Sequence, residues 1–408
     1  MTTDILIIGC GAAGSAIATQ LAKGDIVNSI KLADFDAKRT KKVSSHIRHI
    51  NKKIYLKSIE IDAKNRKNVE KSLTDVKIVI NAASPTCNIP IMKACLSTGT
   101  QYIDLASDPY KYPDSVGTSI DEQLVFNNQF IKRDLLALTN AGFAPGFTDI
   151  LCRYVVDKYS LDSIESFRVY FGDRIISKKP ILSWSPYTIL LENLYPPTIF
   201  RNGRIVEISS GKGSRDIVFP EPIGKIRVRI SNGHPELRTI PDFLGTPIKY
   251  IEIGTGYLIN GVELNDIISQ RLGNQHIKSQ FINEDYIKKL ADYFDGPEKF
   301  LEYYRKGILE NEFCCCLCDI HGKKDDKTLH YRVIVQHELK KVIKSYNSGS
   351  VASYIVSFVP AVLVEKVLNK EIAETGVIAP ARLDNTSGII EECRSRGLNF
   401  KEFAKWQR

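Results

Sequence analysis

Short runs of apolar, often β-branched residues alternate with helix-like stretches through the first 145 residues. Such runs are typical of parallel strands that are buried on both faces. They occur at Asp4–Ile8, Ser29–Ala33, Val76–Ile80, Tyr102–Leu105 and Leu135–Thr139. Because the links between strand-like and helix-like stretches are short, the pattern predicts an α/β domain with a doubly wound parallel sheet over residues 1–145.

The pattern changes after a helix-like segment at Phe147–Lys158. Strand-like alternation then recurs at Ser166–Phe171, Lys225–Ile230 and Tyr331–Val335, separated by Gly, Pro and Asn. This texture predicts a second, α+β domain with an antiparallel sheet over residues 146–345. The remaining residues, 346–408, are expected to form C-terminal helices, of which Val351–Asn369 is the longest.

A glycine-rich turn joins the first strand to the first helix. Gly9, Gly11 and Gly14 form a G-x-G-x-x-G pattern, with Ala12 and Ala13 between the last two glycines. In this context the first glycine permits a tight turn, the second leaves room for a pyrophosphate, and the third lets the helix pack closely on the sheet. The turn predicts a Rossmann-type dinucleotide site at the start of the helix.

Two further segments extend this predicted cofactor site. Asp34 ends the second strand-like run, 20 residues after Gly14, where a carboxylate that binds the adenosine ribose is expected. Its charge would repel a 2′-phosphate, so NAD is predicted over NADP, although Lys38 and Arg39 keep NADP possible. The small residues Asn81, Ala82, Ala83 and Ser84 follow another strand and would let a ring lie against the backbone.

Composition narrows the class of protein further. The 408 residues are 43% hydrophobic and 25% charged, with a net charge of +9 that no segment concentrates. This distribution favours small anionic ligands over nucleic acid. With no basic leader and no apolar run near the roughly 20 residues that span a bilayer, we expect a cytoplasmic protein without a membrane partner. The nine cysteines are expected to be reduced thiols, and Cys314–Cys318 a core strand and not a metal site.

Several short motifs together resemble the saccharopine dehydrogenase family, and most closely its lysine 6-dehydrogenase-like members. Besides the glycine turn, they are Asn81–Pro85 with Asn88, Ala94-Cys95, Gly99-x-x-Tyr102-x-Asp104, Ala141–Gly146, Trp184–Pro186, Arg201–Arg204 and Gly376–Pro380. The resemblance implies a nicotinamide-dependent oxidoreductase that acts on a C–N bond of an amino acid. It also implies C-terminal helices that return to the cofactor domain, and a homo-oligomer, most simply a dimer.

Two positions depart from the family pattern. Tyr187 stands where many relatives have an arginine after Trp-Ser-Pro, so a substrate carboxylate would have to bind elsewhere or not at all. Ala381-Arg382 replaces the usual glutamate after the proline of the C-terminal motif, a change that the sequence does not explain.

Oxidation of a CH–NH bond requires a positioned amine, a base and a fixed substrate. Asp104, at the carboxyl end of a strand, is predicted to meet the amine, and His234 is a candidate base. Arg238 is a candidate partner for a substrate carboxylate, because arginine can bind a carboxylate through two hydrogen bonds. The other predicted substrate-binding residues are Gly142, Phe143, Trp184, Tyr187 and Thr239.

These observations lead to one leading hypothesis and three alternatives. The leading hypothesis is a lysine 6-dehydrogenase-like oxidation. Saccharopine reductase (the L-glutamate-forming saccharopine dehydrogenase) and carboxynorspermidine dehydrogenase/synthase are alternatives, because both condense an amine with a carbonyl compound and reduce the product. The non-enzymatic alternative is an NAD-binding sensor on an inherited fold.

Overall fold

The computed structural model describes residues 3–107, 120–272, 284–346 and 349–407. In the first part of the chain, strands and helices alternate. They are β1 (Thr3–Ile8), α1 (Ala12–Lys23), β2 (Ser29–Asp34), α2 (Ala37–Ile50), β3 (Tyr55–Glu60), α3 (Arg66–Ser72), β4 (Val76–Asn81), α4 (Asn88–Thr98), β5 (Gln101–Asp104), α5 (Ile120–Leu124), α6 (Asn127–Lys132) and β6 (Leu136–Leu138).

The middle of the chain is dominated by longer strands. Its elements are α7 (Phe147–Tyr159), β7 (Ser163–Ser177), α8 (Pro186–Leu194), β8 (Thr198–Arg201), β9 (Arg204–Glu207), β10 (Ser214–Val218), β11 (Lys225–Ile230), α9 (Glu236–Phe243), β12 (Tyr250–Ile259), β13 (Val262–Glu263), α10 (Leu264–Leu272), α11 (Glu284–Ala291), α12 (Phe300–Arg305), β14 (Leu309–Lys324), β15 (Lys327–Glu338) and α13 (Leu339–Ser345). The C-terminal elements are α14 (Val351–Val356), α15 (Phe358–Leu368), β16 (Gly376–Ile378), α16 (Thr386–Ser395) and β17 (Phe400–Gln407).

The first sheet is parallel throughout and confirms the predicted Rossmann-type domain. Its strand order is β16-β6-β5-β4-β1-β2-β3, so the order reverses direction between β1 and β4. At that point Ile8 pairs with Ala33 on one side and with Asn81 on the other. Ligands bind beyond the carboxyl ends of the strands at such a reversal. The glycine turn after β1 and the bend after β4 therefore meet where a dinucleotide is expected.

The second sheet is large and mixed. Its order is β10-β11-β12-β7-β14-β15-β17, with the short strands β8, β9 and β13 attached to it through β12. Most neighbours are antiparallel, as predicted, but β12 and β7 are parallel. The chain between these two strands runs through α8, α9 and the shorter strands, which is the long connection that a parallel pair requires.

The C-terminal part of the chain returns to the first sheet. β16 pairs with β6 and extends the parallel sheet at its edge, while α14 and α15 pack against α1. The loop before α14 comes so close to the glycine turn that a Cβ on Gly349 would lie 3.2 Å from the Cβ of Ala12.

Phe400–Gln407 does not follow the expectation of C-terminal helices over residues 346–408. This segment is the edge strand β17, paired antiparallel with β15 over eight positions from Phe400 to Gln407. Its aromatic residues recur at every third position, at Phe400, Phe403 and Trp406, so its own pattern does not indicate a strand. Its conformation follows from its pairing with β15, which presents Leu329, Tyr331 and Val333 to the core at every second position.

The cysteine-rich run lies in β14, as predicted. Cys314, Cys316 and Cys318 point to the main core, and Cys315 points to the other face of the sheet, where it packs beside Leu317. All four thiols are buried among apolar side chains.

Among the residues that the structure describes, one helical stretch meets the length and composition expected of a bilayer span. It covers Val351–Leu368, yet 83% of it is buried inside the protein. Such burial is typical of a core helix. The stretch corresponds to α14 and α15, which pack against α1 of the first domain.

Candidate active site

The glycine turn leaves open the space that a pyrophosphate needs. Gly9 has φ +98°, and a Cβ there would lie 2.6 Å from the Ala82 carbonyl carbon. A Cβ on Gly14 would lie 1.8 Å from the Gly9 oxygen, so this glycine lets α1 approach the turn. A Cβ on Gly11 would meet no atom within 4 Å. With Ala12 and Ala13 in the first turn of α1, the predicted cofactor-binding segment fits a dinucleotide at the helix start.

Asp34 lies beside this turn at the end of β2. Its Oδ2 accepts a hydrogen bond from the Cys10 N–H at 2.7 Å, and its Oδ1 accepts one from the Asp36 N–H at 2.9 Å. The carboxylate is therefore fixed at the position where the adenosine ribose is expected. Arg39 packs over the Phe35 ring, with its guanidinium carbon 5.3 Å from the ring centre.

A cleft of about 910 Å³ begins at the glycine turn and runs between the two sheets. Ala13 and the Asn81–Ser84 bend form its cofactor end, and segments of the second part of the chain form the other walls. The lining includes Leu105, Ala106, Ser107, Phe143, Ala144, Pro145, Trp184, Ser185, Tyr187, Thr188, Glu192, Tyr195, His234, Glu284 and Val356.

The bend after β4 is held by the Asn81 side chain, which is almost fully buried. Its Oδ1 accepts from the Ala83 N–H at 3.0 Å, and its Nδ2 donates to Asn88 Oδ1 at 2.6 Å. Ala82, Ala83 and Ser84 therefore present backbone and small side chains to the cleft.

His234 faces the cleft and is held by a buried carboxylate. Its Nδ1 lies 2.5 Å from Glu236 Oε2, and Glu236 Oε1 accepts a hydrogen bond from the Thr148 hydroxyl at 2.9 Å. Burial alone would lower the pKa of His234, but the Glu236 carboxylate outweighs it and raises that pKa to about 9. The imidazole is therefore protonated at neutral pH, a state suited to a proton donor and not to the predicted base.

Asp104 is not placed where it could meet a substrate. The side chain is fully buried, and its carboxylate accepts hydrogen bonds from the Tyr102 hydroxyl (2.9 Å), Gln123 Nε2 (2.6 Å) and the Asn140 N–H (2.7 Å). Burial raises its pKa to about 7, against the effect of these donors. The predicted catalytic role is corrected on this geometry: Asp104 lies behind Leu105–Ser107 and braces that wall of the cleft.

The predicted substrate-binding residues divide into two groups. Phe143, Trp184 and Tyr187 line the cleft, and the Tyr187 hydroxyl donates to Glu284 Oε1 at 3.2 Å. Gly142 lies just behind the wall, where a Cβ would be 2.8 Å from the Leu105 oxygen. It leaves room for the chain and offers no side chain to a ligand.

Thr239 and Arg238 lie outside the cleft lining. Thr239 is fully buried in α9, next to Asp149. Arg238 Nη2 pairs with Asp121 (2.8 Å) and Asp242 (3.3 Å) in a separate groove that also contains Arg204. The structure thus brings His234 to the cleft but turns Arg238 away, and the predicted contact of Arg238 with a substrate carboxylate is corrected accordingly.

The described lining of the cleft contains two glutamates, Glu192 and Glu284, and neither a lysine nor an arginine. Glu284 also pairs with Lys288, outside this lining, at 2.9 Å. Together with the rings of Trp184, Tyr187 and Tyr195, these carboxylates suit an ammonium group better than a second carboxylate.

Sequence reasoning missed Glu236 and Glu192. Glu236 stands two residues after His234 in a His-Pro-Glu sequence, and a carboxylate so near a candidate histidine is a usable signal. Glu192 gave no local signal, because its place in the cleft depends on how α8 packs between the sheets.

Two protein-family models together match nearly the whole chain. Residues 5–138 match the saccharopine dehydrogenase NADP binding domain, and residues 142–398 match the saccharopine dehydrogenase C-terminal domain. The cofactor-domain match agrees with the predicted use of NAD or NADP.

Curated relatives match part of the chain. Carboxynorspermidine synthase from Vibrio cholerae is 29% identical over 266 residues, which are 62% of this chain and 63% of that protein. Carboxyaminopropylagmatine dehydrogenase from Synechocystis sp. is 30% identical over 162 residues, 39% of each chain. The chain therefore matches less than two thirds of the length of either relative.

Solved structures share the fold over the full length. Apo saccharopine dehydrogenase (L-Glu forming) from Saccharomyces cerevisiae has a TM-score of 0.67 at 14% identity and covers 99% of this chain and 100% of that one. Homospermidine synthase from Legionella pneumophila, in complex with NAD, has a TM-score of 0.68 at 12% identity and covers 99% and 92%. With both of its family models matched, this chain belongs to the saccharopine dehydrogenase family.

Proposed function

We propose that the protein is an NAD(P)-dependent oxidoreductase that forms a secondary amine, by condensing an amine with an aldehyde and reducing the resulting C=N bond. The observation that carries this proposal is the cleft lining, in which His234 is protonated, Glu192 and Glu284 supply carboxylates, and no lysine or arginine appears among the described residues.

The chemistry consists of two balanced steps. The amine adds to the aldehyde and water leaves, which gives an imine; the imine carbon then takes a hydride and its nitrogen takes a proton. The dinucleotide, when bound, supplies the hydride. His234 can donate a proton to the departing oxygen, and Glu236 stabilises the charged imidazole in its buried position.

The charge of the cleft favours the carboxynorspermidine-type alternative over saccharopine reductase. Saccharopine formation needs at least two positions that bind carboxylates. Arg238 and Arg204 lie in a different groove, and Arg201 lines a third one. Glu192 instead suits the second ammonium of a diamine, whereas Glu284 is already paired with Lys288.

The names of the curated relatives support the same choice. Carboxynorspermidine synthase and carboxyaminopropylagmatine dehydrogenase both indicate polyamine-like molecules that carry a carboxyl group. Lysine 6-dehydrogenase-like oxidation, the leading hypothesis from sequence, becomes the second candidate, supported by the motif resemblance alone.

We further propose that NAD is preferred over NADP. The fixed carboxylate of Asp34 would repel a 2′-phosphate. The cytoplasmic location and the homodimeric state stay predictions. Size-exclusion chromatography with light scattering measures the oligomeric state directly.

The test is a cofactor assay that follows the absorbance of reduced nicotinamide. Diaminopropane, agmatine or lysine is paired with a short amino-acid aldehyde in the presence of NADH or NADPH, and each component is omitted in turn. We expect oxidation of the cofactor only when a diamine and the aldehyde are both present. Reduction of NAD by lysine alone would support the second candidate, and tight NAD binding without any turnover would support the sensor alternative.

A further inference from the structure

A second buried carboxyl, that of Asp149, lies beside the His234–Glu236 pair. Asp149 is fully buried near the start of α7, and its Oδ2 accepts a hydrogen bond from the Gly146 N–H at 3.0 Å. Gly146 ends the loop whose residues Phe143–Pro145 line the cleft. Asp149 therefore stabilises the loop that forms this wall of the cleft, through its hydrogen bond with the Gly146 N–H.

Glu236 holds the adjacent lining residue His234 in the same way. It is also fully buried, it contacts His234, and it accepts a hydrogen bond from Thr148, the residue that precedes Asp149. The two carboxyls thus sit on neighbouring elements, α7 and α9, and each holds a different cleft-lining segment. In the described contacts neither is paired with a lysine or an arginine.

The charge balance of this cluster depends on Asp149. A buried cluster with one carboxylate and one imidazolium is neutral, whereas a second carboxylate would leave an uncompensated negative charge in the interior. Burial, with the neighbouring Glu236 charge, raises the pKa of Asp149 to about 8. The Thr239 hydroxyl and the Gly146 N–H oppose this rise.

We propose that Asp149 is a positioning residue: its buried carboxyl, hydrogen-bonded to the Gly146 N–H, keeps the Phe143–Pro145 loop in register with the adjacent His234–Glu236 pair. This inference rests on the proposed function, since it assigns His234 the role of proton donor. It goes beyond helix capping, because a cap would stabilise α7 equally well with an ionised carboxylate.

Other titratable groups face the cluster and belong in the interpretation of any pH profile. Cys152 lies one turn along α7, and Cys318 projects towards it from β14; burial and the Asp149 charge both raise the pKa of Cys152. Glu192, from α8, adds to the rise in the pKa of His234.

The experiment compares Asp149→Asn, which keeps a neutral hydrogen-bonding side chain, with Asp149→Ala, which removes it. Asn65→Ala is the matched control, because Asn65 caps α3 through the Lys67 and Asn68 N–H groups, away from the cleft. The full chain is labelled at histidine, and the protonation of His234 is followed by NMR across pH, with His234→Gln to assign its signal. Turnover is measured over the same pH range with the amine and aldehyde pair.

We expect the His234 signal of the unmodified protein to show an extra inflection near pH 8, which Asp149→Asn removes. Asp149→Asn should keep turnover within a few-fold at neutral pH and leave a single alkaline loss of activity that follows His234 alone, at a pH below about 9, because the Asp149 charge that helps to raise the His234 pKa is absent. Asp149→Ala should lose between about ten- and a hundredfold in turnover. Asn65→Ala should lower the melting temperature without changing either profile.

Identical His234 titrations and identical pH–rate profiles in the unmodified protein and Asp149→Asn would overturn the inference. Because the NMR titration needs no substrate, it separates the two proposals. If Asp149→Asn removes the inflection but the unmodified protein turns over no amine, the proposed function is refuted while the coupling of Asp149 to His234 is supported. If Asp149→Ala does not fold, Asp149→Asn and its titration still decide the matter.

Discussion

Gly11→Ala separates cofactor binding from folding at the glycine turn. Gly11 has φ −75° and ψ −159°, which alanine can adopt, and the new methyl group would have no atom within 4 Å. The free energy of unfolding should therefore change by no more than about 0.5 kcal/mol. Gly14→Ala is the matched contrast, because its methyl group would lie 1.8 Å from the Gly9 oxygen and must displace backbone.

The methyl group at position 11 would instead stand where the backbone meets the pyrophosphate. We expect the Kd for the dinucleotide to weaken tenfold, which corresponds to about 1.4 kcal/mol of binding free energy. At a cofactor concentration of about 100 times the original Kd, the bound dinucleotide stabilises the unmodified protein by about 2.7 kcal/mol. The same concentration should stabilise the variant by only about 1.4 kcal/mol. Calorimetric titration gives the Kd, and chemical unfolding with and without cofactor gives the stabilisation. An unchanged Kd in a folded variant would refute the placement of the dinucleotide at this turn.

Four further substitutions test separate parts of the account. Asp34→Ala should narrow the preference for NAD over NADP, because the carboxylate that repels a 2′-phosphate is removed; an unchanged ratio of Kd values would exclude Asp34 from the ribose site. Glu236→Gln should lower stability at neutral pH, since the pKa of His234, raised from 6.5 to about 9, contributes stability that is complete below pH 6.5 and lost as pH rises through about 9. Denaturant unfolding should show the difference narrowing above pH 9, and a constant difference would contradict the assigned partner. Arg238→Ala should leave the KM for the amine and the aldehyde unchanged, because its guanidinium pairs with carboxylates outside the cleft; a large rise in either KM would return it to the site. Asp104→Asn should weaken the pH dependence of stability between about pH 4 and 7, where the buried carboxyl of raised pKa makes the unmodified protein less stable as pH rises; an unchanged slope in unfolding experiments would show that this carboxyl does not titrate there.

The first domain could be predicted from sequence because its signals are local. Strands such as β1 are buried on both faces and need only an apolar run, and the glycine turn follows directly from the backbone geometry that a close helix requires. The same holds for Cys314–Cys318, whose alternation assigns the thiols to opposite faces of one strand.

The misplaced residues depended on contacts that are distant in sequence. Asp104 was predicted at a sheet edge, where β5 does end, but Gln123 and Asn140 come from elsewhere in the chain to enclose its carboxylate. Arg238 was grouped with His234 by proximity in sequence. Glu236, the first residue of α9, faces inward and contacts His234. Arg238 lies two residues further, which is about 200° of rotation around the helix, so its side chain points away from the cleft.

The edge strand β17 shows the same limit. The aromatic residues of Phe400–Gln407 recur at every third position, which does not indicate a strand, and the pairing with β15 provides the hydrogen bonds that make it one. The mixed direction of the second sheet likewise follows from the path of the chain between β7 and β12 and not from either strand's own residues.

The most direct test of the central claim is to trace the hydride. The protein is supplied with a diamine, a short amino-acid aldehyde and reduced cofactor that carries deuterium at the transferred position, and the product is analysed by mass spectrometry. We predict a secondary amine with a single deuterium on the former aldehyde carbon, which forms the new C–N bond, and only when both partners are present. Recovery of unlabelled diamine and aldehyde, with the deuterium still on the cofactor, would contradict the proposed reaction.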